Sequence, residues 1–561
     1  MKKFLPKLTL LLSVFLVPTF IFAQESGVEK KGLDERVNEW FAPIANWFES
    51  VVFYPIQFTD TISVPIVVIL LVTGALFFTL YFTFINIRLF PLAISVVRGK
   101  YDHLDKRQPP LKPEQLNVSE EGDIPDTIKD ESADGEVSHF QALATAVSGT
   151  VGLGNIAGVA VAIALGGPGA TFWMIICGLI GMSTKFVECT LGVKYRDVGP
   201  DGTVFGGPMY YLSKGLKGSK ASFLGKPLAV LFALLCVGGS FGGGNAFQSN
   251  QATAQIVSMT GLEGGSAGFI IGLVLAIIVG LVIIGGIKRI AQVTEKIVPF
   301  MAGVYIIASL IIIFAHYNEI GDAFSLIINQ AFTPAAGLGG FFGVMIQGFR
   351  RAVFSNEAGA GSAAIAHSAV RTRYPASEGI VSLLEPFIDT VVICTMTALV
   401  IVLFNMDGLF DYSDMNSSTV LIKSTGERIG GVDLTSAAYN DVIPNFSYVL
   451  TIAVILFAFS TMISWSYYGL QAWKYLFGRG KTADLTYKFL FLAFVVIGAS
   501  ATLGAVIQFS DAMILAMVFP NMIGLFFLFP KVKVELNRYL SAIKNSKLKK
   551  STPEYSETTI S

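Results

Sequence analysis

Residues 148–158 read Ser-Gly-Thr-Val-Gly-Leu-Gly-Asn-Ile-Ala-Gly in the middle of an apolar stretch. Gly149, Gly152, Gly154 and Gly158 lie close together, with Ser148, Thr150 and Asn155 among them. Glycine is about 1 kcal/mol poorer than alanine inside a helix. Glycines alone read better as a surface for close helix packing. With hydroxyls and an amide beside them, they favour a helix that opens. An opened turn offers carbonyl oxygens to a hard cation and amide hydrogens to a carboxylate. A second interruption, from Met345 to Ser362, contains Gln347, Gly348, Phe349, Arg350, Arg351 and Glu357. Its plainer reading is a cytoplasmic loop over 350–362. Ser460, Thr461 and Ser464 sit inside a third apolar stretch. Such hydroxyls often bond only their own helix's carbonyls. Opposite an opened turn they would add the oxygens that Na⁺ requires, by analogy with other hard cations. Asn245 and Gln248 follow three consecutive glycines and are expected to face the protein interior rather than lipid.

These residues need a membrane-embedded scaffold. The chain has 561 residues, 53% hydrophobic and only 14% charged, which excludes an assembly of ordinary soluble domains. Lys2, Lys3 and Lys7 precede an apolar run over 8–22, the order of a signal peptide over 1–23. Ile21 stands where a small residue is usual, so an uncleaved anchor is the alternative. Eleven apolar spans follow, at 63–85, 140–165, 172–193, 227–257, 268–287, 297–315, 337–366, 386–404, 447–473, 489–509 and 512–530. With Gln24 outside, thirty-one Lys and Arg residues fall in or beside the cytoplasmic segments and five in the external ones. That count assigns Arg350 and Arg351 to the inner end of span seven. Residues 24–62 form an external lead-in, 99–138 an acidic cytoplasmic loop, 405–446 an external loop and 531–561 a basic cytoplasmic tail. The transport domain spans 63–530. Spans two and seven, both interrupted and five apart, suggest an inverted repeat of spans two to six and seven to eleven.

The motifs Phe140-Gln-Ala-Leu, Gly152-Leu-Gly-Asn-Ile-Ala-Gly158, Gly166-Gly-Pro-Gly-Ala-Thr-Phe-Trp-Met174, Gly206-Gly-Pro-Met-Tyr-Tyr211 and Ser355-Asn-Glu-Ala-Gly359 together resemble the alanine/glycine:cation symporters. The resemblance implies an all-α, LeuT-type 5+5 fold of the amino acid–polyamine–cation superfamily in a bacterial inner membrane. It further implies import of alanine or glycine with Na⁺ as coupling ion and no other cofactor. The segment Val151-Gly-Leu-Gly-Asn155 also resembles the unwound helix of neurotransmitter:sodium symporters. By that likeness the carbonyls of Ser148, Val151 and Phe457 and the hydroxyls of Ser460 and Thr461 would hold sodium. Gly152, Gly154 and Asn155 would face the substrate carboxylate, and Gln248 resembles a family binding position. Gln347, Gly348, Phe349 and Trp465 join the substrate set by position. Leucine replaces the small polar residue frequent between the two glycines of Gly-x-Gly.

Other functions are weighed against this. A channel would want a repeated pore ring, and a sensor an added signalling domain. The sequence offers neither. An enzyme would want a nucleophile beside a base, and His316 and His367 have no evident partner. Proton coupling is the nearer rival, through Glu188, Glu385 or Asp389. Lys185, three residues before Glu188 on one helical face, is its expected partner. Glu385 and Asp389 are expected near water at the end of span eight. The four cysteines all fall in apolar stretches and read as packing residues.

Overall fold

The computed structural model describes residues 33–60, 62–105, 135–199, 202–262, 265–332, 337–412 and 418–551. The signal peptide expected over 1–23 lies outside them, as do most of the acidic 99–138 loop and the end of the tail.

Helices dominate because a backbone surrounded by lipid must satisfy its own polar groups. Seven helices among the described residues are long and apolar enough to cross a membrane, or eight if one bent pair counts as a single span. The bent pair is α3 (His139–Thr150) with a wide turn at Gly154–Gly158 and α4 (Val159–Gly166), kinked by 50°. Earlier in the chain lies α2 (Ile66–Tyr81), and α5 (Gly169–Lys194) follows the pair. Then come α6 (Ser222–Phe241), a second wide turn at Gly242–Ala246, α7 (Phe247–Thr260), α8 (Ala267–Ile283) and α9 (Gly286–Ala315). Further along come α10 (Gly337–Asn356), a third wide turn at Phe387–Cys394 and α11 (Thr395–Phe404). The final group is α12 (Val432–Val442), α13 (Phe446–Phe477), α14 (Lys481–Ser500), α15 (Leu503–Ala516) and α16 (Val518–Ser551). Along α8, Ile270, Ile277 and Leu281 are each at least 60% exposed, as a helix facing lipid requires.

Several expected boundaries move. The expected first and fifth spans become helices of 16 and 17 residues. Residues Ile62–Pro65 pair instead as a strand with Pro55–Thr59, which delays the start of α2. The expected span at 489–509 runs across the true break. That break is at Ala501 and Thr502, where the backbone turns extended between α14 and α15. Asn38 holds it open, its carboxamide oxygen accepting the Thr502 amide at 3.0 Å and hydroxyl at 2.9 Å. A contact from the lead-in is invisible to hydropathy.

The lead-in is itself folded. Its helix α1 (Leu33–Val52) buries Phe41, Ala45 and Val52, and Phe41 and Phe48 meet Phe509 edge-on. Asp34 accepts the amides of Gly268 (3.2 Å) and Phe269 (3.1 Å), capping the start of α8. The 405–446 loop is folded too. A hairpin of Thr419–Leu421 and Arg428–Gly430 leads into α12. The four cysteines are buried and unpaired.

Asp34→Ala should cost about 1 kcal/mol through loss of this cap. Amide exchange at Gly268 and Phe269 should accelerate several-fold, while exchange in α13 stays unchanged.

Candidate functional site

The helix α3 ends at Thr150, and Val151 leaves helical geometry with ψ at 87°. Two amides at the break then find side-chain acceptors. Gly152 donates to Asn155 Oδ1 at 2.8 Å, and Leu153 donates to Gln248 Oε1 at 3.0 Å. Gln248 is held in turn through its own amide, which donates to the Gly243 carbonyl at 2.9 Å. The predicted opening is therefore present, and Asn155 and Gln248 both lie on it.

The helix α13 closes the other side. Thr461 Oγ1 donates to the Ser148 carbonyl at 3.0 Å, and Ser148 Oγ donates to the Ser460 carbonyl at 2.8 Å. Ser464 Oγ donates to Ser148 Oγ, and Trp465 Nε1 to the Gly149 carbonyl at 3.1 Å. Ser460 takes the plainer option, donating to Phe457 in its own helix at 3.0 Å. Thr461 does not. Its hydroxyl crosses between helices to a carbonyl of the last turn before the break. Ser148, Ser460, Thr461 and Trp465 thus meet, with Val151 and Phe457 buried beside them.

Small residues permit this closeness. A Cβ on Gly152 would sit 2.3 Å from Thr461 Oγ1 and 3.1 Å from Gln248 Oε1. A Cβ on Gly244 would fall 2.2 Å from the Trp465 ring. Gly154 is less crowded, its nearest neighbours being Phe354 at 3.4 Å and the Ser355 backbone at 3.7 Å.

The second interruption also forms. After α10, Glu357, Gly359 and Gly361 adopt positive φ before a short helix at Ala364–His367. The three span-seven residues assigned by position are set elsewhere, however. Gln347 lies beside Gly166, Gly348 against Ala170 and Trp173, and the Phe349 ring 5.9 Å from the Trp173 ring. They line the α4–α5 side of α10, and Phe354 is the aromatic residue that reaches the opened turn. Arg350 and Arg351 lie within α10 rather than in a loop. Arg350 pairs with Asp511 (3.2 Å) and with Glu49 of the lead-in (3.4 Å), and Arg351 also pairs with Asp511.

Asp389 is the functional candidate that the sequence placed wrongly. It is fully buried, not hydrated. Asn155 donates to Oδ1 at 2.6 Å, while Ser355 (2.8 Å) and Thr390 (2.6 Å) donate to Oδ2. The wide turn at Phe387–Cys394 carries this carboxylate, joining it to both interrupted segments.

Further along, a chain of ionisable groups runs towards the 99–105 segment. Lys185 pairs with Glu385 at 3.3 Å, not with Glu188, and Glu385 is buried rather than hydrated. Glu188 instead accepts from the Gly359 amide (3.0 Å) and from Asn521 (2.7 Å). His367 bridges Glu385 (3.2 Å) and Glu378 (2.6 Å), and His139 contacts the other Glu378 oxygen. His139 also lies 4.0 Å from Asp105, whose carboxyl burial pushes above its ordinary range. Spacing gave no hint of the His367 pairings, because Glu378 and Glu385 reach it through a turn.

Comparison with known proteins adds three findings. Residues 121–553 match the sodium:alanine symporter family. The sodium/alanine symporter AgcS of Methanococcus maripaludis is 38% identical over 482 residues, covering 86% of this chain and 95% of that protein. The Bacillus subtilis protein YrbD, described as a putative sodium/proton-dependent alanine carrier, is 37% identical over 419 residues, 73% of this chain and 83% of its own. Among solved structures, MhsT in complex with L-phenylalanine aligns with a TM-score of 0.47 at 16% identity, over 71% of this chain and 99% of that one.

Gly152→Ala should destabilise the protein by roughly 1–3 kcal/mol through overpacking. Thr461→Ala removes the nearest clash, so the two substitutions should couple by about 1 kcal/mol or more. Melting of the four proteins of that cycle would show strictly additive costs if Gly152 and Thr461 were independent.

Proposed function

The chain belongs to the sodium:alanine symporter family and is a membrane transporter rather than an enzyme, and on that premise we propose that it imports alanine- or glycine-sized amino acids together with Na⁺. Transport proceeds by alternating access around the break between α3 and α4. Eleven spans, with two to six and seven to eleven as inverted halves, put that break near the bilayer midplane. The N-terminus is external after removal of residues 1–23, and the C-terminal tail lies in the cytoplasm of a bacterial cell.

The observation that carries this reading is the Thr461 hydroxyl meeting the Ser148 carbonyl at 3.0 Å. On that reading Na⁺ binds where these oxygens converge, with carbonyls from Ser148, Val151 and Phe457 and hydroxyls from Ser460 and Thr461. The ion draws α13 onto the end of α3. The substrate carboxylate takes the amides of Gly152 and Leu153, displacing the oxygens of Asn155 and Gln248. Asp389, bonded to Asn155, supplies negative charge at the ammonium end. Phe354 and Trp465 close the volume, and Gly152 leaves no room for more than a small side chain. Because ion and substrate share one opened segment, each strengthens the binding of the other.

Proton coupling is the second reading. The buried chain of Glu385, His367, Glu378 and His139 favours it, and the description of YrbD includes a proton. Labelled-alanine uptake into proteoliposomes, with Na⁺ and H⁺ gradients imposed separately, separates the two. Uptake driven by H⁺ alone would overturn sodium coupling.

Thr461→Ala should raise the Na⁺ concentration for half-maximal uptake by about tenfold or more, since a lost charge-assisted contact is worth roughly 1.5–3 kcal/mol. An unchanged sodium dependence in folded protein would remove α13 from the ion site.

Orientation can be tested at two exposed positions. In a cysteine-free background, Thr425→Cys should react with an impermeant thiol reagent from outside intact cells, and Lys481→Cys should not. The opposite pattern reverses the topology.

A further inference from the structure

The lead-in has one side packed on the bundle and another side bare. At the end of α1 and in the hairpin of Pro55–Thr59 and Ile62–Pro65, the side chains of Trp47, Val51, Tyr54 and Phe58 are each more than half exposed. Large apolar side chains gathered on a surface mark an interaction site. Charge is nearly absent here. Over residues 44–59 the single charged side chain is Glu49, and it turns inward to Arg350 at 3.4 Å. Asp60 follows at the tip of the hairpin.

Two measures of depth bear on what covers this surface. The first is α15, which α1 follows. Asn38 meets Thr502 where α15 begins, Phe48 meets Phe509, and the Arg350 that holds Glu49 also holds Asp511. From Thr502 to Asp511 a helix rises about 13 Å. The end of α1 is therefore level with the interior of an apolar segment long enough to cross a membrane. The second measure is α2. Its 16 residues rise about 24 Å, against a hydrocarbon core of about 30 Å. The four residues of Ile62–Pro65 add up to about 13 Å, enough to make good the difference. The patch also continues the bare side of α2, where Ile66, Leu76 and Leu80 are exposed, because the Ile66 amide donates to the Tyr54 carbonyl at 3.4 Å. A ribbon of two strands needs water or head groups along its outer edges. That keeps the hairpin at the boundary of the hydrocarbon, the level at which Trp and Tyr gather.

We propose that the end of α1 and the hairpin dip into the lipid leaflet in which α2 begins, with Trp47, Tyr54 and Phe58 among phospholipid acyl chains just below the head groups. The lead-in is then a membrane foot, held by lipid on one side and by α15 and Arg350 on the other. Assigning it to the outer leaflet rests on the proposed orientation; the immersion itself does not depend on the transport reading.

The test is fluorescence quenching of the full-length protein reconstituted in phosphatidylcholine vesicles. The emission of Trp47 is taken as the difference between the wild type and Trp47→Phe. Phosphatidylcholine brominated close to the head group should remove most of that difference. Phosphatidylcholine brominated at the acyl-chain ends should remove less, and aqueous iodide on both sides of the membrane should leave most of it intact. Tyr54→Trp in the Trp47→Phe background provides a second reporter, which should respond in the same way. Emission quenched by iodide and untouched by brominated lipid would put the surface in water. Emission reached by neither quencher would put it beneath a second copy of the chain. Stronger quenching from the chain ends would put it in the bilayer core. Each of these three results overturns the proposal. Because no transport is measured, the outcome is independent of whether Na⁺ drives uptake.

Discussion

A helix interrupted away from water leaves amides and carbonyls that lipid cannot satisfy, each worth several kcal/mol if orphaned. That constraint, applied to the few residues after Thr150, organises much of this molecule. The Gly152 and Leu153 amides go to carboxamide oxygens, and the Ser148 and Gly149 carbonyls go to α13. Each partner must then be placed. Gln248 sits correctly because the wide turn at Gly242–Ala246 turns the Gly243 carbonyl to hold it. Trp465 reaches Gly149 because Gly244 has no side chain. The glycines and the polar residues are two halves of one device, the first making room for the second.

The same economy recurs at Asp389. A buried carboxylate is expensive unless its oxygens are bonded, and three donors from three segments do this. Asn155 thereby serves two masters, its oxygen accepting from the Gly152 amide and its own amide donating to Asp389. The two interrupted segments are thus linked through one asparagine and one aspartate. A movement at either is felt at the other, which suits a protein that must couple two ligands.

How much of this was legible depends on the range of each interaction. The breaks at Gly152 and Glu357 were readable because glycine and polar residues inside an apolar run act locally. Thr461 and Gln248 were expected beside the opened turn from residue type and family resemblance together, and both bond to it. The position of Asp389 was not readable, since its burial depends on a wide turn that shifts register by one residue. Lys185 chose Glu385 over its helical neighbour Glu188 because α5 packs on the segment carrying Glu385, a fact absent from local spacing. Phe349 was displaced by Phe354 for a related reason. The side of α10 that meets Gly154 is set by packing against α4 and α5. The break between α14 and α15 was missed because Asn38 maintains it from the far end of the chain.

That last contact has a consequence for biosynthesis. Asn38 and Thr502 are 464 residues apart in sequence. At ribosomal rates of about 5–20 residues per second, the partner emerges roughly half a minute to a minute and a half later. In the interval the apolar side of α1, with Phe41 and Phe48, has no Phe509 to cover it. Asp34 finds the start of α8 earlier, at roughly half that separation. The lead-in therefore docks in two stages, first to the middle of the nascent chain and then to its final third. A helix that precedes all the described spans therefore completes its packing only once α15 is made.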